Sequence, residues 1–146
     1  MASTGEAEVV AALRNEMIEE NQGAALDPAL VQATLRWMRD LTAAGKMCSW
    51  LAEAGKDLAG TVTVRIRDAS PRPDDLLGRE AYVHNLYVKP ALRRRGIGRQ
   101  LMVALLEWCS ANGYSRVALR ATEMGRPLYE SLGFTADRAM IYRARG

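Results

Sequence analysis

One stretch constrains this chain more than any other: residues 86–101, which read LYVKPALRRRGIGRQL. The β-branched and aromatic residues at its start favour a strand, and Pro90 ends that strand because proline cannot donate to a β-ladder. An arginine-rich loop containing Gly96 and Gly98 follows, and a helical pattern begins directly after it. The first N–H groups of a helix have no intrahelical partner, and glycines let an anion approach them. The sequence therefore predicts a phosphate cradle between a strand and a helix.

Two common phosphate-binding motifs do not fit this loop. A dinucleotide-binding G-x-G-x-x-G would need glycine where Leu101 stands, and the P-loop string G-x-x-x-x-G-K-[ST] is absent from the sequence. A solvated basic loop that merely caps a helix is the alternative, and the short motif alone leaves it open. The rest of the chain has to decide between these interpretations.

Length and composition are those of an ordinary globular domain. The chain has 146 residues, of which 49% are hydrophobic and 25% charged, so we expect one domain. Neither a membrane-spanning run nor a signal-peptide pattern is seen, so membrane association is not expected. Cys48 and Cys109 have no metal-binding spacing and His84 is the only histidine, so no metal is expected. Two free thiols suit a reducing cytoplasm.

The charge distribution favours a small anionic ligand. The net charge is +3, and four arginines fall between positions 93 and 99. A nucleic-acid surface would be expected to interleave such arginines with aromatic residues, which this loop lacks, so nucleic acid is not expected as a partner.

Hydrophobic periodicity predicts an α/β fold with a mixed central sheet flanked by helices. Residues 1–5 are expected to form a frayed tail, with no strand before the first helix. The predicted helices cover residues 6–20, 28–44, 96–112 and 124–132. The predicted strands cover residues 47–54, 58–66, 80–88 and 116–121, the last of them buried, with two more short strands at Phe134 and residues 140–143. Right-handed crossovers are expected from the third strand onwards.

Two motifs together suggest a family. The basic loop resembles the [RQ]-x-x-G-x-[GA] signature of the GNAT N-acetyltransferase superfamily, matched by Arg93, Gly96 and Gly98. Residues 128–134, LYESLGF, are similar to the L-Y-x-x-x-G-F string that closes the GNAT active site. The motifs stand in the family's order with one helix and one strand between them. The chain is thus identified as a member, a single domain over residues 1–146. It departs from the family in showing no clear strand before the first helix, so the usual first strand is absent, very short or contributed otherwise.

The resemblance implies an N-acetyltransferase that moves the acetyl group of its co-substrate acetyl-CoA to a primary amine of a small molecule or peptide. Transfer would be by direct attack in a ternary complex. The alternative is a catalytically silent acyl-CoA-binding sensor or scaffold, and a homodimer is a possible assembly. In the family the basic loop holds the pyrophosphate, while the preceding strand pairs with the pantetheine arm. The residues implied to bind acetyl-CoA are Leu86, Tyr87, Val88, Arg93, Arg94, Arg95, Gly96, Ile97, Gly98, Arg99 and Thr122.

Acetyl transfer to an amine makes three demands, and the resemblance assigns residues to two of them. The amine, with a pKa of about 10.4, must lose a proton, the oxyanion needs a donor, and the thiolate needs a proton. Tyr129 matches the family's proton donor to sulfur, and the Leu86 N–H is implied to polarise the thioester carbonyl.

The base is left open by the sequence. His84 titrates near neutral pH, and strand alternation predicts that it shares a face with Leu86. A histidine satisfied by a backbone partner is the alternative interpretation, and Glu80 or a water molecule could act as the base instead. Asn85 and Glu123 are lesser candidates, Asn85 only for positioning a water.

An acidic cluster lies near the expected binding site of the acceptor amine. We expect the amine between the two N-terminal helices and the third strand. Glu16, Glu19 and Glu20 lie where the first helix ends. Such a run either forms a solvated helix face or attracts a cationic amine, and the sequence does not distinguish these two roles.

Overall fold

The structure is a computed structural model, and it describes residues 2–4 and 6–144. Its helices are α1 (Ala7–Gln22), α2 (Pro28–Ala43), α3 (Ile97–Ala111) and α4 (Arg126–Ser131). Its strands are β1 (Ala2–Thr4), β2 (Met47–Ala54), β3 (Asp57–Asp68), β4 (Arg79–Val88) and β5 (Val117–Ala118). In the described residues, no helix combines the length and apolarity that crossing a membrane requires.

The five strands form one mixed sheet in sequential order. Neighbouring strands from β1 to β4 are antiparallel, whereas β5 runs parallel to β4. The parallel pair requires a crossover, and α3 supplies it. The predicted α/β class with a mixed sheet flanked by helices is confirmed.

Local sequence signals explain the helix ends well. The Asp27 side chain accepts a hydrogen bond from the Ala29 N–H at 2.9 Å, with Pro28 at the first helical position of α2. At the end of α1, Gly23 adopts a left-handed conformation with φ 69°, and its N–H donates to the Glu19 carbonyl. Both helix ends therefore depend on residues adjacent in the chain.

The two faces of the sheet carry different layers. On one face α3 packs Leu101, Met102 and Leu105, all fully buried, against the strands. On the other face α1 and α2 cover a smaller apolar cluster around Val10 and Met38. Because side chains alternate along a strand, each strand contributes to both layers.

A β-bulge interrupts β4 shortly before the basic loop. Thr61 pairs with Tyr87 and Thr63 pairs with His84, so two steps along β3 oppose three steps along β4. The extra residue is accommodated at Asn85, which has a left-handed φ of 57°. Asparagine adopts this conformation more easily than most residues.

The bulge reverses the alternation of side chains, so the prediction that His84 and Leu86 share a face is wrong. Val83 belongs to the α3 core, and Leu86 and Val88 pack against that core. The His84 ring instead contacts Trp37 of α2, with ring centroids 5.9 Å apart, on the opposite face. One inserted residue is enough for this reversal because the side-chain period of a strand is two.

The chain begins differently from the prediction. Residues 2–4 form β1, which pairs with β2 in the register Ala2 to Ala52, so the predicted frayed tail is wrong there, and of the alternatives left open a very short first strand is the one found. Residues 1 and 5 of the predicted tail lie outside the described residues. Ala-Ser-Thr has only modest strand propensity, and pairing with the edge of β2 decides its conformation.

The C-terminal strands also differ from the prediction. The buried strand predicted over residues 116–121 is only Val117–Ala118, both half-buried, and it pairs only with Ala81 and Tyr82 of β4. In the described residues after α4, no strand forms at Phe134 or over residues 140–143. Met140 and Ile141 are exposed. Apolar and β-branched residues form a strand only where a sheet edge is available to pair with them.

Candidate active site

The predicted phosphate cradle lies at the N-terminus of α3, and phosphate binding there stays a prediction. Gly96 precedes the helix with φ 77°, and no side chain caps the first turn. Around Gly98, an added Cβ would lie 3.6 Å from the Leu128 Cδ2 atom and 3.9 Å from the Val88 Cγ2 atom. Gly98 therefore lies where the end of β4 meets α4, and the first N–H groups of α3 are free of side-chain acceptors.

The arginines of the basic loop differ in their contacts. Arg93 Nε donates to the Val88 carbonyl at 2.8 Å, and its Nη2 pairs with Glu20 of α1 at 2.8 Å. This arginine therefore fastens the loop to β4 and α1. Arg94, left-handed with φ 65°, and Arg95 are exposed, and neither makes an ion pair in the part of the chain that the structure describes.

Arg99 links the cradle to the helix that carries Tyr129. Its Nη1 donates to the Ser131 Oγ atom at 3.0 Å, and that hydroxyl donates to the Leu128 carbonyl at 2.6 Å. The structure thus brings the basic loop, the end of β4 and α4 together, as the two sequence motifs predicted.

One edge of β4 is open beside the cradle. β5 pairs with β4 only at Ala81 and Tyr82, and no other described strand lies on that side of residues 83–88. Leu86, Tyr87 and Val88 lie on this open stretch. An open strand edge presents backbone N–H and C=O groups to which an extended ligand can add.

Tyr129 lies on α4 and is half-buried. Its ring meets Phe134 edge-on, with centroids 5.9 Å apart, and burial raises the pKa of its hydroxyl. It lines a cavity of about 1140 Å3 between β5, α4 and residues 133–141. At neutral pH the hydroxyl is protonated, which is the state a proton donor needs.

Thr122 closes the turn before α4. Its hydroxyl accepts the Gly125 N–H at 3.1 Å, and its carbonyl accepts the Arg126 N–H at 3.0 Å. In this structure the residue positions the helix that carries Tyr129, and its predicted contact with acetyl-CoA stays a prediction.

His84 has an environment that the sequence did not reveal. Burial lowers the pKa of its imidazole, and the charges of Arg65, Arg14 and Arg67 lower it further, to about 4. Its Nε2 atom is buried without a hydrogen-bond partner among the described residues. The ring is therefore uncharged at neutral pH, and its role as the base stays a prediction.

Glu80 is held by two arginines. Its carboxylate accepts from Arg67 Nε at 2.7 Å and pairs with Arg116 Nε at 2.9 Å. Both carboxylate oxygens are thus engaged by guanidinium groups, and the role of Glu80 as the base stays a prediction.

Acidifying the solution is expected to destabilise the protein through His84. The imidazole takes up a proton near pH 6.5 in the unfolded chain but only near pH 4 in the folded protein. The unfolded state therefore binds more protons in this window, and the stability present above pH 6.5 is lost as the pH falls. For this incompletely buried ring we expect a loss of about 1 kcal/mol between pH 7 and pH 5.

Urea unfolding at both pH values measures this loss, with His84→Gln as the control that retains every carboxylate. His84 is the only histidine, so no other imidazole contributes. An equal loss in the variant and the wild type would contradict the linkage.

Comparisons with known proteins agree with the fold. The sequence profile described as the Acetyltransferase (GNAT) family matches residues 10–134. The chain belongs to this family of acetyltransferases, and the predicted resemblance is confirmed.

Named relatives are distant. An aminoglycoside N(6')-acetyltransferase type 1 of Salmonella typhimurium is 27% identical over 96 residues, which are 60% of this chain and 66% of that protein. The chain thus spans about two thirds of that relative's length. A GCN5-related N-acetyltransferase from Ralstonia eutropha is similar in structure, with a TM-score of 0.82 and 27% identity over 100% of this chain and 99% of the other. A predicted acetyltransferase from Clostridium acetobutylicum, solved with acetyl-CoA, has a TM-score of 0.86 at 19% identity, covering 99% and 95%.

Proposed function

We propose that this protein transfers the acetyl group of acetyl-CoA to a primary amine of a small molecule or peptide, by direct attack in a ternary complex. One observation carries the proposal: the uncapped N-terminus of α3 adjoins the open edge of β4. A helix N-terminus suits a pyrophosphate and a strand edge suits an amide-bearing arm, and acetyl-CoA contains both. The structural relative solved with acetyl-CoA supports the same ligand.

The residues around the cradle fit this ligand. The N–H groups of Ile97 and Gly98 would meet the pyrophosphate, and the exposed Arg94 and Arg95 would supply positive charge. Arg93 would act indirectly by holding the loop against β4. Leu86, Tyr87 and Val88 would bind through backbone groups, since Leu86 and Val88 direct their side chains to the α3 core.

When bound, the thioester supplies an activated acetyl group. The Leu86 N–H would stabilise the developing oxyanion, and donors of this kind are worth about 3 kcal/mol. Tyr129 would protonate the departing sulfur, and the burial that raises its pKa keeps the proton in place until that step. Because a thiol has a pKa of about 8.5, the thiolate leaves fairly readily and needs only modest assistance.

Loss of the amine proton is the larger obstacle. A neutral His84 can accept a proton, but three nearby arginines disfavour the imidazolium that would form. The carboxylate oxygens of Glu80 are already engaged by Arg67 and Arg116. We therefore favour transfer of the proton to water, with His84 and Glu80 as the alternatives.

A thiol-release assay with acetyl-CoA and a panel of primary amines tests the proposed function, and Tyr129→Phe tests the acid. We expect this variant to keep its calorimetric affinity for acetyl-CoA while kcat falls about 100-fold, the low end for a general acid, because only the transition state loses an interaction. Tyr142→Phe is the matched control, since Tyr142 is 89% exposed.

Three results would be informative against this proposal. Unchanged turnover in Tyr129→Phe would mean that water protonates the sulfur. Acetyl-CoA binding without release of thiol for any amine would favour a silent acyl-CoA sensor. Absence of acetyl-CoA binding would overturn the function altogether.

A further inference from the structure

A cluster of cationic and aromatic side chains lies on the sheet face that α1 and α2 partly cover. Arg65 stacks on the ring of Trp37 at 5.8 Å from its centroid, and Arg67 stacks on Tyr82 at 4.1 Å. The His84 ring contacts both aromatic rings, with centroid distances of 5.9 and 4.7 Å. We call this set the basic–aromatic patch, and its members are Arg14, Trp37, Arg65, Arg67, Tyr82 and His84.

Two charges of the patch lack a counterion. Arg67 is neutralised by Glu80. Arg14 has only the hydroxyl of Thr34 as a partner, at 3.4 Å, and Arg65 forms no ion pair among residues 2–4 and 6–144. Half-buried guanidinium groups without counterions are unfavourable, and burial already lowers the pKa of Arg14.

Two buried nitrogens of the patch also lack hydrogen-bond partners. These are Arg65 Nε and His84 Nε2, neither of which finds a protein acceptor or donor in the described structure. Buried polar atoms in proteins normally form hydrogen bonds, so a buried atom without a protein partner is expected to bind a ligand or an ordered water. The Arg65 Nε can only donate, so its missing partner must be an acceptor such as an anionic oxygen.

The patch lies close to the reacting centre. His84 comes two residues before Leu86, and the bulge at Asn85 turns their side chains to opposite faces of the sheet. A ligand on the patch would therefore approach the Leu86 segment from the α1–α2 face. This is the side on which the acceptor amine was expected.

We propose that the basic–aromatic patch is part of the acceptor site and that the acceptor carries an anionic group, a carboxylate or a phosphate, besides its amine. This inference rests on the proposed acetyltransferase function. Arg65 and Arg14 would bind the anionic oxygens, and guanidinium groups suit such ligands through paired, charge-assisted hydrogen bonds. Trp37 and Tyr82 would contact the apolar part of the acceptor.

The acidic cluster of α1 gives less support to a cationic acceptor. Glu20 is already paired with Arg93, and Glu19 accepts the Leu26 N–H at 3.2 Å, so only Glu16 of the cluster has no partner among the described residues. A polycationic amine on the α1–α2 face would meet the uncompensated charges of Arg14 and Arg65. The structure therefore favours the anionic class over the cationic one.

Matched pairs of amines test the inference. One arm compares amino acids with their carboxamides, and a second compares an amino sugar with its phosphate ester, so that the two arms separate carboxylate from phosphate. We expect kcat/KM to favour the anionic member of at least one pair by about 10-fold or more. Arg65→Gln and Arg14→Gln should each reduce that ratio about 10-fold, mainly through KM. Arg36→Gln, at an exposed position of α2, is the control that should keep the ratio.

The outcomes separate this inference from the proposed function. Acetylation of amines with no anionic preference, or with a preference that both arginine variants retain, would overturn the inference and leave the acetyltransferase standing. Absence of both acetyl-CoA binding and amine acetylation would overturn both. Two arginine variants are used so that a folding defect in one, detected by thermal unfolding, leaves the other as a test.

Discussion

Replacing Gly98 with aspartate is expected to abolish acetyl-CoA binding while leaving the protein folded. A side chain at this position points between Val88 and Leu128, where an added Cβ makes contacts of 3.9 and 3.6 Å, which are ordinary van der Waals distances. The fold therefore has room for the Cβ of the new side chain. The new carboxylate would bind the free N–H groups of α3 and repel the pyrophosphate from them. We expect calorimetric affinity to fall at least 100-fold, which is about 2.8 kcal/mol.

Gln100→Asp provides the matched control for Gly98→Asp. It adds the same charge to the first turn of α3 at an exposed position, away from Val88 and Leu128. Its affinity for acetyl-CoA should change by less than about 10-fold, since an exposed charge is screened. If folded Gly98→Asp bound acetyl-CoA with wild-type affinity, the pyrophosphate would not bind at the N-terminus of α3.

Replacing Gly60 with alanine is expected to damage both stability and binding, although Gly60 belongs to neither motif. Gly60 pairs with Val88 across β3 and β4. An added Cβ would collide with the Tyr87 carbonyl oxygen and would lie 3.2 Å from the Val88 Cα and 3.4 Å from the Leu101 Cδ1. The first two are backbone atoms, which cannot rotate away, so the end of β4 must move. We expect a loss of about 1–3 kcal/mol in the free energy of unfolding.

The displaced segment is the part of β4 proposed to bind acetyl-CoA, so affinity should fall as well. Denaturant unfolding measures the first effect, and calorimetry at a temperature where the variant is folded measures the second. Gly98→Ala adds the same methyl group at ordinary contact distances and should not lower stability. Wild-type stability and affinity in Gly60→Ala would mean that β3 and β4 separate more easily than their pairing indicates.

Local signals in the sequence were sufficient for most of the elements and for the chemistry of the loop. Asp27 and Pro28 begin α2, and Gly23 ends α1, because capping depends on residues adjacent in the chain. The strand, basic loop and helix at residues 86–101 were predicted for the same reason. Membership of the GNAT family also followed from two short motifs, and the match of the family profile to residues 10–134 confirms it.

The tertiary structure decided the properties that depend on residues far apart in the chain. The face occupied by His84 depends on how β4 pairs with β3, where one extra residue at Asn85 reverses every later side chain. The pKa of His84 depends first on burial of its ring and then on the charges of Arg65 and Arg14, which β3 and α1 bring to it. β1 forms because the edge of β2 is available to it.

The same distinction explains the candidate site. The sequence by itself determined which residues could bind an anion, since glycines and arginines beside a helix N-terminus act locally. Only the tertiary structure decided that Arg93 is engaged by Glu20 and Val88, whereas Arg65, beside Trp37, keeps a nitrogen that has no partner among the described residues. Hydrogen bonds and ion pairs of this kind are set by which side chains the fold brings within about 3 Å of one another, and no local pattern encodes that distance.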